Sequence, residues 1–391
     1  VHTTDLFLAL AVIWLVAKVG GELAERGGQP AVLGELLAGM LVGPGALALV
    51  SESEVILAIA QIGVAILLFE IGLESDLGEL LRAGPQATAV AVVGVVCPFA
   101  LGLAFGLAWG LPSLTAVFVG ATLTATSVGI TARVLADLGR LQDPAARIVL
   151  GAAVIDDILG LVILATVAAV VETGAVSVGT VALVLVKAVG FLVVAILLGI
   201  QFAPVLMRWI IRMRVRGSLI AMTLVACLLV AALAEKMGLA TIVGAFAIGL
   251  VLARTEPRAR IEETLKPVAD VLVPVFFVSV GMKADIGALN PFGSAGAGGT
   301  ILAALLTLLA VAGKLVSGLA VYQRRVARWP VGVGMIPRGE VGLIFAGIGL
   351  ATKVIDQTLY TALVAMVLLS TLMVPPWLRL IYQRLRNRGA P

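Results

Sequence analysis

Two adjacent acids, Asp156 and Asp157, sit in the middle of the apolar run LGAAVIDDILGLVILATVAAV (150–170), which is long enough to cross a bilayer. A carboxylate at that depth costs roughly 2.5 to 3.5 kcal/mol on insertion scales, so a pair persists only where partners, ions or water receive it. Neighbours i and i+1 on a helix stand about 100° apart and do not face each other. The two acids are therefore expected to have two different partners and two different roles.

One ammonium lies at a similar depth, Lys314 in LLAVAGKLVSGL. It needs a carboxylate, and the mid-membrane acids are nearly confined to Asp156, Asp157 and Glu340. A buried Lys–carboxylate pair adds little net stability but makes a good switch, because protonating the acid or supplying another cation releases the lysine. A static strut is the other reading.

Two further stretches predict broken helices. ATLTATSVGITARV crowds the hydroxyls of Thr122, Thr124, Thr126 and Ser127 beside Gly129, and GMIPRGEVGL places Pro337 among Gly334, Gly339 and Gly342. Backbone left unpaired at membrane depth is permitted only where it lines a protein-enclosed cavity. Two such breaks would cross at the midplane, each presenting positive helix N-termini and negative C-termini. Arg338 and Glu340 suit the balancing of those partial charges more than direct ion binding. Lys18, Glu35 and Glu70 fall near span ends and are read as snorkelling to the interface, Lys187 is read as structural, and Pro274 after Asp270 is read as a kink.

The elements that must hold these groups are membrane helices. Of 391 residues 61% are hydrophobic and 13% charged, and the mean hydropathy is +1.15, which excludes a soluble domain. Apolar runs bounded by charges, Gly and Pro give thirteen candidate spans near 4–22, 31–49, 54–73, 84–110, 112–137, 145–171, 178–210, 217–235, 239–253, 266–283, 297–323, 330–352 and 356–382. The ninth is short; the fifth, tenth and twelfth carry interruptions. No basic leader or small-residue cleavage site precedes the first run, which is expected to be a true span. Arg and Lys crowd the loops after odd-numbered spans, whereas the even-numbered loops hold only Lys236, Lys283 and Lys353. The N-terminus is thus expected outside and the C-terminus in the cytoplasm, and the basic balance of +4 reflects topology, not nucleic acid. Cys97 and Cys227 lie in apolar runs as small hydrophobes, and the single histidine, His2, leaves no imidazole in the membrane to relay protons.

The chain also repeats itself. GELLAGMLVGP (34–44) echoes GAFAIGLVLAR (244–254), FEIGLESDL (69–77) echoes VSVGMKADI (278–286), and TSVGI (126–130) echoes GEVGL (339–343), all at offsets close to 210 residues. That offset is seven spans, and an odd number of crossings inverts the second copy. The expectation is one all-α polytopic unit over 1–391, with repeats near 31–171 and 239–382 joined by linking helices near 178–235. Nothing resembles a nucleotide loop, a transition-metal cluster or a Ser/His/Asp constellation, so neither an enzyme nor a cofactor is expected.

An Asp-Asp pair in the sixth of thirteen spans, Lys in the eleventh and PRGE in the twelfth resemble the monovalent cation/proton antiporters, in their electrogenic bacterial branch. The resemblance covers the whole chain. It implies a homodimer whose subunits each carry a dimerisation domain and a six-helix core domain. It implies Asp157 as the ion- and proton-binding acid, Asp156 as the partner of Lys314, and Thr126 and Ser127 as part of the broken-helix crossing. Electroneutral relatives carry Asn before the second Asp, so the intact pair implies electrogenic exchange.

The resulting expectation is exchange of Na⁺ or Li⁺ for H⁺ across a bacterial inner membrane. Asp157, fifth-span hydroxyls, unwound carbonyls and water would serve as the oxygen ligands. Release of the Lys314 proton on Na⁺ binding would give two H⁺ per Na⁺. A K⁺/H⁺ antiporter of the potassium-efflux type is the alternative within the family; those relatives add a soluble nucleotide-binding domain after the last span, whereas this sequence stops at Pro391. A cation channel would use the same acids but needs a continuous pore. An intramembrane aspartyl protease needs two carboxylates that face each other, which adjacent positions on one helix forbid.

Overall fold

The computed structural model describes residues 3–387 apart from 52, 76, 174–177, 284–295 and 324–325. The end of the second echo (284–286), Arg324, Arg325 and Arg388 lie outside the described residues, as does the side chain of Glu340. All described regular structure is helical. The first part of the chain forms α1 (Thr3–Arg26), α2 (Ala31–Val42), α3 (Glu54–Glu74), α4 (Leu77–Ala108), α5 (Ser113–Thr122), α6 (Val128–Asp137) and α7 (Pro144–Thr173). Then come α8 (Val178–Ile211), α9 (Ser218–Lys236), α10 (Thr241–Leu252) and α11 (Arg258–Met282). The last are α12 (Gly296–Ser317), α13 (Arg328–Gly334), α14 (Glu340–Ala351) and α15 (Gln357–Asn387). Among the described residues eight helices are long and apolar enough to cross a membrane, which makes this a multi-pass membrane protein.

Local chemistry sets the helix ends. Ser53 caps α3 by accepting the Ile56 N–H at 3.3 Å, and Asp356 caps α15 by accepting the Leu359 N–H at 2.7 Å. The second apolar run does not stay helical to 49. The α-helix stops at Val42, and residues 43–50 fold back so that Leu49 and Val50 both donate to the Val42 carbonyl at 3.0 Å. The tenth run, read as interrupted, is one continuous helix with Pro267 and Pro274 inside it. The fifth and twelfth runs are each two helices, separated at 123–127 and at 335–339.

Packing sorts most helices into two sets. α1, α2, α3, α9, α10 and α11 pack on one another, and so do α4, α5, α7, α12, α14 and α15. α6 touches members of both sets. Within the first set several crossings bring backbones into direct contact, among them those of α2 with α11 and of α3 with α10. A Cβ on Gly39 would collide with the Val278 carbonyl and one on Gly281 with the Leu36 carbonyl, where α2 meets α11. Gly72 and Gly249 stand in the same relation to the Phe246 and Phe69 carbonyls, where α3 meets α10. Only a residue without a side chain fits at these four positions, and the small separation gives the crossings many dispersion contacts.

Candidate functional site

The acid pair lies on α7, and its two carboxyl groups diverge. Asp156 Oδ1 accepts a hydrogen bond from Lys314 Nζ at 3.0 Å, with only 2% of the aspartate and none of the lysine exposed. The ammonium passes Gly94 of α4, where a Cβ would lie 3.5 Å from Nζ. Asp157 instead lines a cavity of about 180 Å³, room for several waters or a partly hydrated ion.

The two broken helices cross beside Asp157. The Ser127 N–H in the first break donates to the Pro337 carbonyl in the second at 2.7 Å. Thr131 donates to the Gly334 carbonyl at 2.6 Å and Thr126 to the Met335 carbonyl at 3.4 Å. Arg338 is fully buried; it donates to the Ile336 carbonyl at 3.1 Å and, across to α12, to the Ala310 carbonyl at 3.0 Å. Thr371 of α15 donates to the Arg338 carbonyl at 2.8 Å. Five consecutive carbonyls, 334 to 338, thus each receive a protein donor. The break survives at membrane depth because it is satisfied, and the guanidinium stands at the negative end of α13.

The unwound carbonyls of 335–338 each receive at least one donor, and those with a single donor keep a second lone pair. The hydroxyls of Thr122 and Thr124 also turn back onto carbonyls, those of Phe118 and Ala121. The Ser127 hydroxyl faces the cavity, and that of Thr126 keeps its lone pairs while donating. α6 and α14 begin at the cavity wall behind Ser127 and Gly339 without side-chain caps. Their exposed N–H groups put two positive helix ends near one carboxylate.

The structure thus brings Asp157, Thr126, Ser127, Arg338 and Gly339 to one cavity and places Asp156 with Lys314 behind it. Pro337 contributes its carbonyl to the crossing, not its side chain to the cavity. Glu340 opens α14. The expectation for Glu35 needs correction: it lies among the buried residues of α2, so this acid is 3% exposed and not at the interface. Lys18 is exposed, and its Nζ donates to the Asp270 carbonyl at 3.0 Å, which ties α1 to α11. Four polar residues that line the cavity, Gln61, Ser279, Lys283 and Thr371, were not singled out by site reasoning. Single polar residues in apolar helices give no sequence signal, although Ser279 does fall inside a repeat echo.

A second cavity, about 410 Å³, lies on the far side of a seal of buried residues. Glu70, Glu74, Arg133, Asp137, Lys266 and Asp270 line it. On α3 the first cavity reaches Val64 and the second begins at Leu67; on α6 the corresponding residues are Ile130 and Arg133. About one helical turn separates the two spaces.

A helical membrane protein with a buried ion pair and a carboxylate cavity at a crossing of broken helices belongs to the class of ion-coupled carriers in its build. Comparison with known proteins makes this specific. The family model described as sodium/hydrogen exchanger, transmembrane, matches residues 10–382, and the chain belongs to that family. It is 42% identical to the high-affinity Na⁺/H⁺ antiporter NhaS3 of Synechocystis sp., over 98% of this chain and 91% of that one. It is 37% identical to the Na⁺/H⁺-K⁺ antiporter GerN of Bacillus cereus, over 96% of each chain. The solved structure of the sodium proton antiporter MjNhaP1 from Methanocaldococcus jannaschii shares the fold, with a TM-score of 0.68 at 17% identity and coverage of 95% of this chain and 96% of that one.

Proposed function

We propose that the protein is a secondary antiporter that exchanges Na⁺ for H⁺ by alternating access, with Asp157 as the shared binding acid. The observation that carries this reading is the division of labour in the acid pair. Asp156 pairs with Lys314, while Asp157 lines the polar cavity beside the crossing. Na⁺ is a hard cation, and a carboxylate, the Ser127 and Thr126 hydroxyls and water give it oxygen ligands. A proton on Asp157 removes the charge that holds it. When Na⁺ binds, the Asp156–Lys314 pair loosens and Lys314 gives up its proton, so two H⁺ move per Na⁺ and exchange is electrogenic.

In this reading the chain makes thirteen crossings, with its N-terminus outside and C-terminus in the cytoplasm of a bacterial inner membrane. The repeats at 31–171 and 239–382 are inverted copies. The two glycine crossings support this, since each pairs a helix of one repeat with the other repeat and both use equivalent positions. The set containing α2, α3, α10 and α11 is a dimerisation scaffold, and the set containing α4 to α7 and α12 to α15 is a core that slides against it. The helices near 178–235 link them, and two subunits pair as a homodimer. With that orientation Gln61 lies in the outer half of α3 and Lys283 just past the outer end of α11, which supports an outward-facing state.

The test is purified protein in liposomes with an imposed pH gradient. Proton efflux on adding Na⁺ or Li⁺, saturating and accelerated by a membrane potential, is the expected result. Efflux with K⁺ alone would favour the potassium-efflux reading, and passive flux that never moves a cation uphill would favour a channel.

A further inference from the structure

The scaffold wall of the outer cavity carries a group that neither the ion pair nor the crossing uses. Ser279 of α11 is 3% exposed, lines the cavity that holds Asp157, and its Oγ has no hydrogen-bond partner among the described residues. A buried hydroxyl without a partner costs free energy unless something fills the cavity beside it. In a polar cavity beside a carboxylate, that occupant is water or a cation.

Its position in the repeat gives the second observation. Ser279 stands two residues before Gly281, the glycine of the α2–α11 crossing; Glu70 stands two residues before Gly72, the glycine of the α3–α10 crossing. The echo FEIGL/VSVGM therefore places Glu70 and Ser279 at equivalent positions, and each lines a different cavity, one on either side of the seal. Both sit on helices interlocked by backbone contact, so neither can travel with a sliding core.

Resting on the alternating-access reading above, we propose that Ser279 and Glu70 are paired way-stations on the stationary wall. The Ser279 hydroxyl is a ligand of the Asp157-bound Na⁺ while the site faces outward, and the Glu70 carboxylate takes that place when the site faces inward. Asp157 exchanges one wall group for the other as the core moves. A neutral hydroxyl holds a monovalent cation more weakly than a carboxylate. The same site is then a tighter binder at the cytoplasmic face and a looser one outside, a bias suited to loading from low internal Na⁺ and releasing outward.

The test is the Na⁺ KM for exchange at each face, in right-side-out and everted membrane vesicles containing the full chain. Ser279→Ala is expected to raise the outer-face KM by roughly threefold to tenfold, the loss of one hydroxyl ligand, and to leave the inner-face KM unchanged. Glu70→Gln is expected to raise the inner-face KM alone. Ser279→Thr and Ser279→Val form a second pair of equal shape: Thr keeps the outer-face KM near that of the unaltered protein and Val raises it. An unchanged outer-face KM in Ser279→Ala, equal shifts at both faces, or Thr and Val behaving alike overturns the proposal. If the unaltered protein shows no saturable Na⁺/H⁺ exchange in the same vesicles, the antiporter reading itself falls. If it exchanges and only the variants are silent, the way-stations fall and the antiporter stands.

Discussion

Asp157→Asn keeps the shape of the side chain and removes the one charge assigned to cation binding. Exchange in liposomes is expected to vanish while the variant's thermal melting in detergent stays close to that of the parent. Asp156→Asn acts differently, because it strands the Lys314 ammonium in a fully buried position. Breaking a buried pair from one side costs about 3 to 5 kcal/mol, so this variant should melt well below the parent, and equal stability would show that Lys314 finds another acid. Lys314→Gln separates a proton carrier from a strut. With the carrier gone, Asp157 still exchanges Na⁺ for one H⁺, and flux should cease to respond to a clamped potential; a folded, active and still electrogenic variant would refute the two-proton scheme. That the two acids meet different surroundings was legible from adjacency alone. Which acid Lys314 meets came only through the family resemblance, because the helical phase that turns Asp156 toward α12 is fixed by packing between α4, α7 and α12.

Helix breaks were legible where the residues themselves oppose a helix, as with Pro337 between Gly334 and Gly339, or where hydroxyls compete for carbonyls, as with Thr124. Their stabilisation was not. Thr371 lies about thirty residues beyond the break it satisfies, in a helix whose sequence reads as plain membrane span. Thr371→Val leaves the Arg338 carbonyl without that donor, and a stability loss of about 1 to 3 kcal/mol is expected, seen as a lower melting temperature. The end of α2 was hidden for the opposite reason: residues 45–50, GALALV, continue the apolar run past the point where the helix stops. At the glycine crossings the expected cost is larger. Gly249→Val drives a branched side chain into the Phe69 carbonyl, and this variant should fail to accumulate as folded protein, as judged by gel filtration.

At the scale of the whole molecule, α1 and α8 present their apolar side chains outward, among them Leu8, Leu15, Leu197 and Phe202. Lipid or a second subunit must cover these faces. For the proposed homodimer, native mass measurement from nanodiscs is expected to give twice the chain mass of 40.1 kDa. The two-set packing was legible only through the family resemblance, since composition makes every span look alike and hydropathy assigns no helix to either set. A cavity at the helix breaks was legible, but most of its lining was not, since it draws on segments up to about 310 residues apart.

α2 and α10 have twelve residues each, about 18 Å of helix against a hydrocarbon layer of roughly 30 Å. On the side of α2, Leu37, Leu41, Leu47 and Leu49 are exposed, so this short helix and the folded-back segment after it meet the acyl chains directly. The surrounding lipid must thin to match them, at a cost of a fraction of a kcal/mol for each ångström of misfit. The packed set that holds α2 and α10 is thereby expected to suit a membrane of a certain thickness. Reconstitution in lipids of stepwise longer acyl chains should slow turnover progressively, with Na⁺ affinity little changed, because the misfit strains the frame and not the ligands.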